Sequence, residues 1–298
     1  MKKKPTVSVV TTAYNVEKYI VQCMESVLNQ THRDIEYIVV LDCPTDGTED
    51  IARAIAEDDA RVRLIRLTEN QGCGMARRIG IEAATGEYVL LLDGDDWLNA
   101  DYIERLYKRA EETDADVITG GIAVRYNNGY YETHSVTDRC VTGYGKVQRY
   151  FGKVLTMCNR LIKREMYDKV QYCGRRYIED LPTIIPILWY AKSVEYVDYS
   201  GFNYRVNEAS LTNTASDFKK LLYEGLAWLD VIDFFDEHDI KMYEHVDIRG
   251  NAKLVFGRLA KLKITEDMVA MYKDDWCEFT RRLFNVLAVV NYKFTPDK

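Results

Sequence analysis

Three carboxylates lie within four consecutive positions directly after an apolar run. Residues 88–92 read Tyr-Val-Leu-Leu-Leu, and Asp93, Asp95 and Asp96 follow them. A run of five apolar or aromatic residues is typical of a strand that is buried on both faces of a parallel sheet. Open α/β sheets bind ligands at the carboxyl ends of such strands, and clustered acids repel one another unless a cation lies between them. The pattern therefore predicts a ligand or metal site, with a solvated Asp-Gly turn as the alternative.

A divalent cation is the cofactor that this chemistry favours. Carboxylate oxygens suit Mg²⁺ or Mn²⁺, and Mg²⁺ commonly joins one or two carboxylates to the phosphates of a substrate. We expect the oxygen ligands to come from Asp95, Asp93 and Asp96.

Other predicted strands end in residues that could hold a nucleotide. Thr12, Tyr14 and Asn15 follow the first strand, where the Tyr14 ring could stack on a base. Asp42 follows the second strand and could accept a hydrogen bond from a pyrimidine N–H group. Arg77 lies near the glycine-rich start of a helix, and helix N-termini with nearby arginines favour phosphates. Taken singly, each residue has an ordinary alternative: a core or surface tyrosine, a turn or capping aspartate, a solvated arginine.

The elements that must position these residues alternate between strand and helix over the first 120 residues. The βαβ order predicts an α/β fold, with a mostly parallel sheet and helices on both faces. Asn127-Asn128-Gly129 predicts a hairpin. Helical patterns predominate from Ser216, so we expect a sheet domain at 1–214 and a helical C-terminal subdomain at 215–298. Strand patterns occur at 6–12, 35–41, 61–67 and 88–92, and helical patterns at 17–28, 48–55, 75–84 and 102–112.

Charge and cysteine usage exclude several classes of protein. The net charge of −7 argues against a nucleic-acid polymer as the partner, because phosphate neutralisation dominates such binding. The 7 cysteines form no close pairs. That spacing fits neither a zinc site nor a disulfide framework and favours reduced thiols in a cytosol. No run of ~18 apolar residues is long enough to span a bilayer, so we expect a cytoplasmic protein.

The end of the chain carries a candidate membrane contact. Residues 281–294 combine an apolar stripe with basic residues near each end. Such a helix could lie at the inner face of the membrane as a peripheral contact. A helix packed on the catalytic domain is the interpretation we favour, because the basic residues are few. The sequence gives no indication of the oligomeric state.

Taken in order along the chain, these motifs resemble the family 2 glycosyltransferases, inverting enzymes of the GT-A fold that use nucleotide-sugar donors. The resemblance runs from Val7 to about Leu211. It implies a Rossmann-like GT-A sheet and transfer of a hexosyl or N-acetylhexosaminyl group to an acceptor hydroxyl, in cell-surface polysaccharide or glycolipid synthesis. The segments that carry it are Val9–Asn15, Ser26–Thr31, Thr45–Thr48, Asn70–Arg77, Ala84–Trp97, Cys158–Lys163, Tyr177–Asp180, and Tyr204-Arg205 with Ser210-Leu211.

The resemblance assigns the nucleotide to residues at three strand ends. Tyr14 matches the residue that stacks on the base, with Thr12 and Asn15 beside it. Asp42 matches the acid that reads the base, and Arg77 matches a residue near the diphosphate. Many relatives carry two acids followed by Gly-Ser after the second strand, whereas this chain has Leu-Asp-Cys-Pro, so one carboxylate is missing. A UDP-sugar donor is favoured, with another base as the alternative.

The resemblance assigns the chemistry to the acids. Asp93 and Asp95 correspond to the Asp-x-Asp pair, with Asp93 also contacting the nucleotide, and Asp96 is a second candidate metal ligand. Asp180, in the pair Glu179-Asp180, corresponds to the catalytic base. It would remove the proton from a hydroxyl of a saccharide or lipid-linked saccharide acceptor. A helix-starting acid pair is the alternative for these last two residues.

Two other classes of protein share parts of the pattern. A sugar-nucleotide pyrophosphorylase would show a Gly-rich, Arg-containing loop after the first strand, where this chain has Thr-Thr-Ala-Tyr-Asn. A non-catalytic nucleotide-sugar-binding module would have lost the metal acids or the base, and Asp93, Asp95 and Asp180 are all present. Both alternatives therefore rank below the glycosyltransferase.

Overall fold

The computed structural model of the chain describes residues 5–134, 156–170, 178–207, 216–238, 255, 257–259 and 261–293, with side chains as far as residue 283. The chain divides into two compact units, Met1–Glu208 and Ala209–Lys298. The boundary expected at residue 214 lies outside the described residues, so the division into 1–214 and 215–298 stays a prediction.

A nine-stranded sheet forms the core of the first unit. Its order is β3-β2-β1-β4-β8-β6-β9-β5, with β7 beside β6. The strands are β1 (Val7–Ala13), β2 (Ile35–Leu41), β3 (Val62–Arg66), β4 (Tyr88–Asp93), β5 (Trp97–Leu98), β6 (Val117–Arg125), β7 (Tyr131–His134), β8 (Arg160–Lys163) and β9 (Val194–Arg205). The central strands β1, β2 and β4 are buried along almost their whole length, as their continuous apolar runs predict.

Six strands run in the same direction, so their carboxyl-terminal ends lie at one edge of the sheet. The pairs β1–β2, β2–β3 and β1–β4 are parallel. β8 is antiparallel to both β4 and β6, so β6 runs in the same direction as β4, and β9 is parallel to β6. The register sets Thr12 opposite Asp93 and Ala13 opposite Leu41. The polar residues that follow these strands therefore meet at one edge, and the predicted α/β class with a mostly parallel sheet is confirmed.

Helices in the first unit present apolar faces to the sheet. In α4 the buried residues Tyr102, Ile103, Leu106 and Ala110 recur at helical spacing, which makes one apolar stripe. The helix ends at Asp114, whose left-handed conformation, with φ of 52°, closes its last turn. The helices of this unit are α1 (Ile20–Leu28), α2 (Thr48–Asp58), α3 (Cys73–Ala83), α4 (Tyr102–Thr113) and α5 (Asp180–Tyr190).

A hairpin connects β6 to β7, as the Asn-Asn-Gly sequence predicts. Arg125 pairs with Tyr131, and Tyr126 accepts a backbone hydrogen bond from Gly129 at 3.1 Å. Gly129 adopts a φ of 83°, a conformation that costs glycine little. The predicted hairpin is confirmed.

The second unit is helical in its described parts, which confirms the expected helical C-terminal region. Its helices are α6 (Asp217–Glu237), α7 (Glu266–Met271) and α8 (Lys273–Lys293). Ser216 caps α6 by accepting a hydrogen bond from the Lys219 amide at 3.2 Å. Within this unit α8 packs on α6: Phe279 is buried against Gly225, and Arg282 pairs with Asp230 at 2.8 Å.

The predicted contact of residues 281–294 with a membrane surface stays a prediction. The helix α8 covers this segment as far as Lys293, and its side chains beyond 283 lie outside the described ones. Over the part of the chain that the structure describes, helices fall short of the length and apolar character needed to cross a bilayer.

Gly80 of α3 lies close against the sheet. A Cβ atom at this position would overlap Val10 Cγ1 and would lie 3.1 Å from Val40 Cγ2. We expect Gly80→Ala to lower the free energy of unfolding by about 1–3 kcal/mol, because overpacking outweighs the gain in helix propensity. Urea unfolding followed by circular dichroism measures the change. Gly257→Ala is the control, since no atom of the described residues lies within 4 Å of its added Cβ. Equal or higher stability of Gly80→Ala would contradict this packing.

Candidate active site

The acids after β4 form a tight turn at the ligand-binding edge of the sheet. The amide of Asp96 donates to the Asp93 carbonyl at 3.0 Å, and the amide of Gly94 donates to the Thr12 carbonyl at 3.0 Å. The Thr12 hydroxyl also donates to Asp93 Oδ1 at 3.3 Å. The end of β1 therefore holds the first acid and the turn that presents Asp95 and Asp96.

Arg205, at the end of β9, fixes the same turn from the other side. Its backbone amide donates to Asp96 Oδ1 at 2.8 Å, and its Nε donates to the Asp95 carbonyl at 2.8 Å. The guanidinium lies over the rings of Tyr19 and Trp97, 4.7 and 4.5 Å from their centroids. The sequence named Arg205 only as part of a motif, without a role. Its role depends on contacts with residues more than 100 positions away.

Burial and the crowding of carboxylates raise the pKa values of two acids in the turn. Burial, with the added negative charge of Asp93, raises the pKa of Asp95 to about 6. Burial, together with Asp95 and Asp93, raises the pKa of Asp96 well above its usual range. Both shifts mean that the ionised forms lack enough positive charge nearby.

The donor set suits a hard divalent cation shared with a phosphate ligand. Within the described ranges, no three His, Cys, Asp or Glu side chains converge into a complete metal cage. A cation held here would therefore take one or two carboxylates from the protein and its other ligands from phosphate oxygens and water, which is the usual arrangement for Mg²⁺. Asp95 is better placed for this than Asp96, because Asp96 is only 2% exposed and is held by Arg205.

Arg77, from α3, connects the acid turn to the start of α5. Its Nη2 donates to both oxygens of Asp93, at 2.8 and 2.9 Å. Its Nη1 donates to Glu179 Oε1 at 2.5 Å and to Asp180 Oδ1 at 2.7 Å. The side chain is only 6% exposed. The sequence predicts Arg77 near a diphosphate, which stays a prediction, but in this structure its terminal nitrogens are engaged by three carboxylates.

Glu179 and Asp180 differ in access to solvent. The Glu179 side chain is 5% exposed and that of Asp180 is 24% exposed. Burial raises the pKa of Glu179, while Arg77 opposes the rise. Glu179 also accepts a hydrogen bond from the Cys73 thiol at 3.1 Å. Asp180 is therefore the member of the pair that an external hydroxyl can approach.

Backbone strain precedes the acid pair. Ile178 adopts a φ of 55°, which is unfavourable for a β-branched residue and costs on the order of 1–3 kcal/mol. This conformation lies immediately before Glu179, the N-cap residue of α5, whose side chain contacts Arg77.

The predicted nucleotide residues occupy the loops after β1 and β2. Tyr14 is 46% exposed, so its ring is open to a ligand. Asn15 joins the two loops, because its Oδ1 accepts from the Thr45 amide at 2.8 Å and its Nδ2 donates to the Thr45 hydroxyl at 3.1 Å.

Asp42 holds the loop that leads into α3. It accepts from the amides of Gln71, at 2.7 Å, and Gly72, at 2.9 Å, and it is 2% exposed. Each carboxylate oxygen keeps a second lone pair, so reading of a base by Asp42 stays a prediction. The sequence offers a turn or capping aspartate as the alternative at this position, and the structure identifies the distant amides of Gln71 and Gly72 as its partners.

The structure brings most of the predicted residues into one connected site. The members of the network are Thr12, Arg77, Asp93, Glu179 and Asp180, with Asp95 and Asp96 in the adjoining turn. Asn15 and Asp42 lie in neighbouring loops at the same edge of the sheet.

Two thiols that the sequence analysis did not single out also contact the network. The half-buried Cys73 donates to Glu179, and the buried Cys158 lies 3.5 Å from Arg77 Nη2. Of the quoted motif residues, Tyr177 and Ser210-Leu211 lie outside the described ones.

Comparison with known proteins agrees with this fold. Residues 8–171 match the family described as Glycosyl transferase family 2. The glycosyltransferase GlyG of Streptococcus pneumoniae is 29% identical over 78% of this chain and 78% of its own. TuaG of Bacillus subtilis, whose name refers to teichuronic acid biosynthesis, is 44% identical over 62% of this chain and 73% of its own. The crystal structure of S. aureus TarS in complex with UDP-GlcNAc matches with a TM-score of 0.63 at 17% identity, covering 93% of this chain and 81% of that one.

The match to the family covers more than half of the sequence and includes the acid turn, Arg77 and the strands that carry them. The chain therefore belongs to glycosyl transferase family 2. Its fold is the GT-A fold of the TarS structures, with a helical region after the sheet.

Loss of Arg77 should destabilise the protein strongly. Arg77→Met would leave three partly buried carboxylates without their shared cation, and breaking such a buried pair costs about 3–5 kcal/mol. Urea unfolding measures the change in free energy. Arg78→Met is the matched control, because Arg78 is the next residue of the same helix, is 47% exposed and, among the described residues, forms an ion pair with Glu82 across one turn. It should change stability by less than about 0.5 kcal/mol, and equal effects of the two variants would refute the stabilising role of the network.

Proposed function

We propose that the chain transfers a sugar from a UDP-sugar to an acceptor hydroxyl with inversion at the anomeric carbon. The observation that carries the proposal is the Arg77 network, which joins an accessible carboxylate, Asp180, to the acid turn at the carboxyl edge of the sheet. One base beside a metal and phosphate site is the arrangement that a single displacement requires. The acceptor would be a saccharide or a lipid-linked saccharide.

Asp180 acts as the general base. Its carboxylate takes the proton from the acceptor hydroxyl while that oxygen forms a bond to the anomeric carbon, and the bond from this carbon to the UDP oxygen breaks. Since the oxygen enters opposite to the departing UDP, the configuration inverts. Proton transfer by a positioned base contributes about 10²–10⁴-fold to the rate.

Arg77 is a positioning residue in this scheme. It is buried, and its contacts fix Asp180 relative to Asp93. A base displaced by ~1 Å can lose on the order of 100-fold in rate. Both oxygens of Asp93 face Arg77, so Asp95 would be the main metal ligand. When bound there, Mg²⁺ or Mn²⁺ would offset the negative charge that develops on the diphosphate.

The donor and the pathway are proposed from similarity. TarS is described with UDP and with UDP-GlcNAc bound, which supports a UDP-sugar that carries a hexosyl or N-acetylhexosaminyl group. The name of TuaG supports a role in cell-surface polysaccharide synthesis. The exposed ring of Tyr14, at the end of β1, is open for stacking on the base, with Thr12 beside it.

Removing the base should separate binding from transfer. Asp180→Asn keeps the size of the side chain but cannot take a proton, so we expect transfer to fall by about 10²–10⁴-fold with unchanged UDP affinity. Sugar transfer and UDP release from UDP-GlcNAc in the presence of Mn²⁺ measure the rate, and a thermal shift with UDP measures binding. Glu179→Gln is the neighbouring control and should be milder. If Glu179→Gln is the more damaging change, the base is assigned to the wrong residue.

Removing the main metal ligand should separate metal binding from folding. We expect Asp95→Ala to abolish the Mn²⁺-dependent affinity for UDP and to leave thermal stability equal or higher, because one of three crowded carboxylates is lost. Asp58→Ala, at an exposed position of α2, controls for loss of an acid. Isothermal titration with UDP, with and without Mn²⁺, is the measurement. Full transfer activity in EDTA would refute the metal assignment.

A further inference from the structure

The β6–β7 hairpin projects from the same edge of the sheet as the acid turn. β6 and β4 run in the same direction, because β8 is antiparallel to both. The turn that follows β6 at Arg125 therefore lies beyond the carboxyl ends of the strands, where ligands bind in open α/β sheets. No role in the site described above requires this hairpin.

Strand pairing connects the hairpin directly to the acid turn. Arg125 of β6 pairs with Arg205 of β9 on one side and with Tyr131 of β7 on the other. Arg205 in turn donates to Asp96 and to the Asp95 carbonyl. Since neighbouring strands are about 4.8 Å apart, Tyr131 lies about 10 Å from the residue that holds the acids.

Aromatic rings are unusually exposed at the end of this hairpin. Tyr130 is 57% exposed and Tyr131 is 54% exposed. The Tyr126 and Tyr130 rings pack on each other, with centroids 5.6 Å apart, and the Arg125 guanidinium lies 4.5 Å from the centre of the Tyr131 ring. These contacts hold the rings in place and leave large parts of them open to solvent. Grouped exposed rings of this kind mark binding surfaces.

The chemistry of the hairpin tip, residues 126–131, favours a sugar. The tip consists of three tyrosines, two asparagines and one glycine, and it carries no charged side chain. A pyranose ring offers a face of weakly positive C–H groups, which complements the negative face of an aromatic ring, and a rim of hydroxyls for amide and phenol groups. An anionic lipid surface is disfavoured, because such surfaces are recognised by clusters of Lys and Arg.

We propose that the hairpin tip binds a sugar unit of a saccharide acceptor, away from the unit whose hydroxyl reacts. This proposal rests on the proposed function, in which a saccharide is the acceptor of the transferred sugar. It adds the acceptor class, which is a neutral chain of several sugar units rather than a single sugar. Tyr130 and Tyr131 supply the ring faces, and the exposed Asn127 supplies an amide for hydroxyl groups. The bound saccharide would then extend from the hairpin tip toward Asp180.

Oligosaccharide binding without donor or metal tests the assignment. The probes are cellotetraose, maltotetraose and tetra-N-acetylchitotetraose, measured by saturation-transfer NMR and titration. At least one should bind the native chain, and Tyr130→Ala with Tyr131→Ala should weaken that binding about tenfold, because each ring contact contributes about 0.5–1.5 kcal/mol. The double Tyr→Phe variant should retain most of the affinity, since it retains both ring faces.

A matched variant on the same hairpin separates ring contacts from hairpin folding. Thr133→Ala changes an exposed residue two positions further along β7 and should bind as the native chain does. All variants should keep the same thermal shift with UDP and Mn²⁺. Failure of every probe to bind, or an equal loss of binding in Thr133→Ala, would overturn the assignment. So would a tyrosine double-alanine variant that binds the oligosaccharides normally and loses binding to phosphatidylglycerol vesicles instead. Since the binding test uses no donor, failure of the proposed transfer reaction would show separately, in the Asp180→Asn and EDTA experiments.

Discussion

The guanidinium of Arg77 shares two terminal nitrogens among three carboxylates, and the rest of the site depends on this contact. Asp93 ends a central strand, whereas Glu179 and Asp180 lie at the start of α5, 102 and 103 positions from Arg77 along the chain. A single buried cation fixes the distance between them. Because breaking a buried ion pair costs several kcal/mol, the geometry of the site and the stability of the first unit are coupled. Arginine suits this position, since its planar fork keeps its charge and can satisfy several oxygens at once.

The site nevertheless carries more negative than positive charge. Burial, together with the charge of neighbouring carboxylates, raises the pKa of Asp95 to about 6 and raises that of Asp96 well above its usual range. Arg77 pairs with Asp93, Glu179 and Asp180. Arg205 contributes mainly through its backbone amide and its contact with the Asp95 carbonyl. An acid turn that is unfavourable by itself is a favourable place for a cation and a diphosphate to bind together. Ile178, with its φ of 55°, is a second unfavourable feature next to the acid pair.

The direction of a few strands explains why the residues proposed for donor and acceptor binding share one edge of the sheet. Parallel β1, β2 and β4 deliver Tyr14, Asp42 and Asp93 to this edge. The antiparallel β8 then allows β6 and β9 to run the same way as β4 and to bring the hairpin tip and Arg205 beside the acids. The residues proposed for donor binding therefore come from βαβ units of neighbouring sequence. The hairpin tip and Arg205 come from strands that lie beyond the antiparallel β8 in the order of the sheet.

The sequence by itself determined the α/β class, the strand ends that carry acids, the hairpin at Asn127–Gly129 and the helical C-terminal region. These features follow from local patterns, such as a continuous apolar run before Asp93 or an Asn-Gly turn, whose consequences are decided within a few residues. Only the tertiary structure decided which carboxylates pair with Arg77 and which amides Asp42 binds in the Gln71–Gly72 loop. It also decided that Arg205 hydrogen-bonds to the acid turn. Each of these contacts joins residues at least 16 positions apart, most of them far more. From sequence alone, an arginine near glycines, such as Arg77, can be interpreted as a phosphate ligand or as a buried ion-pair partner. The choice depends on which carboxylates surround it in the folded protein.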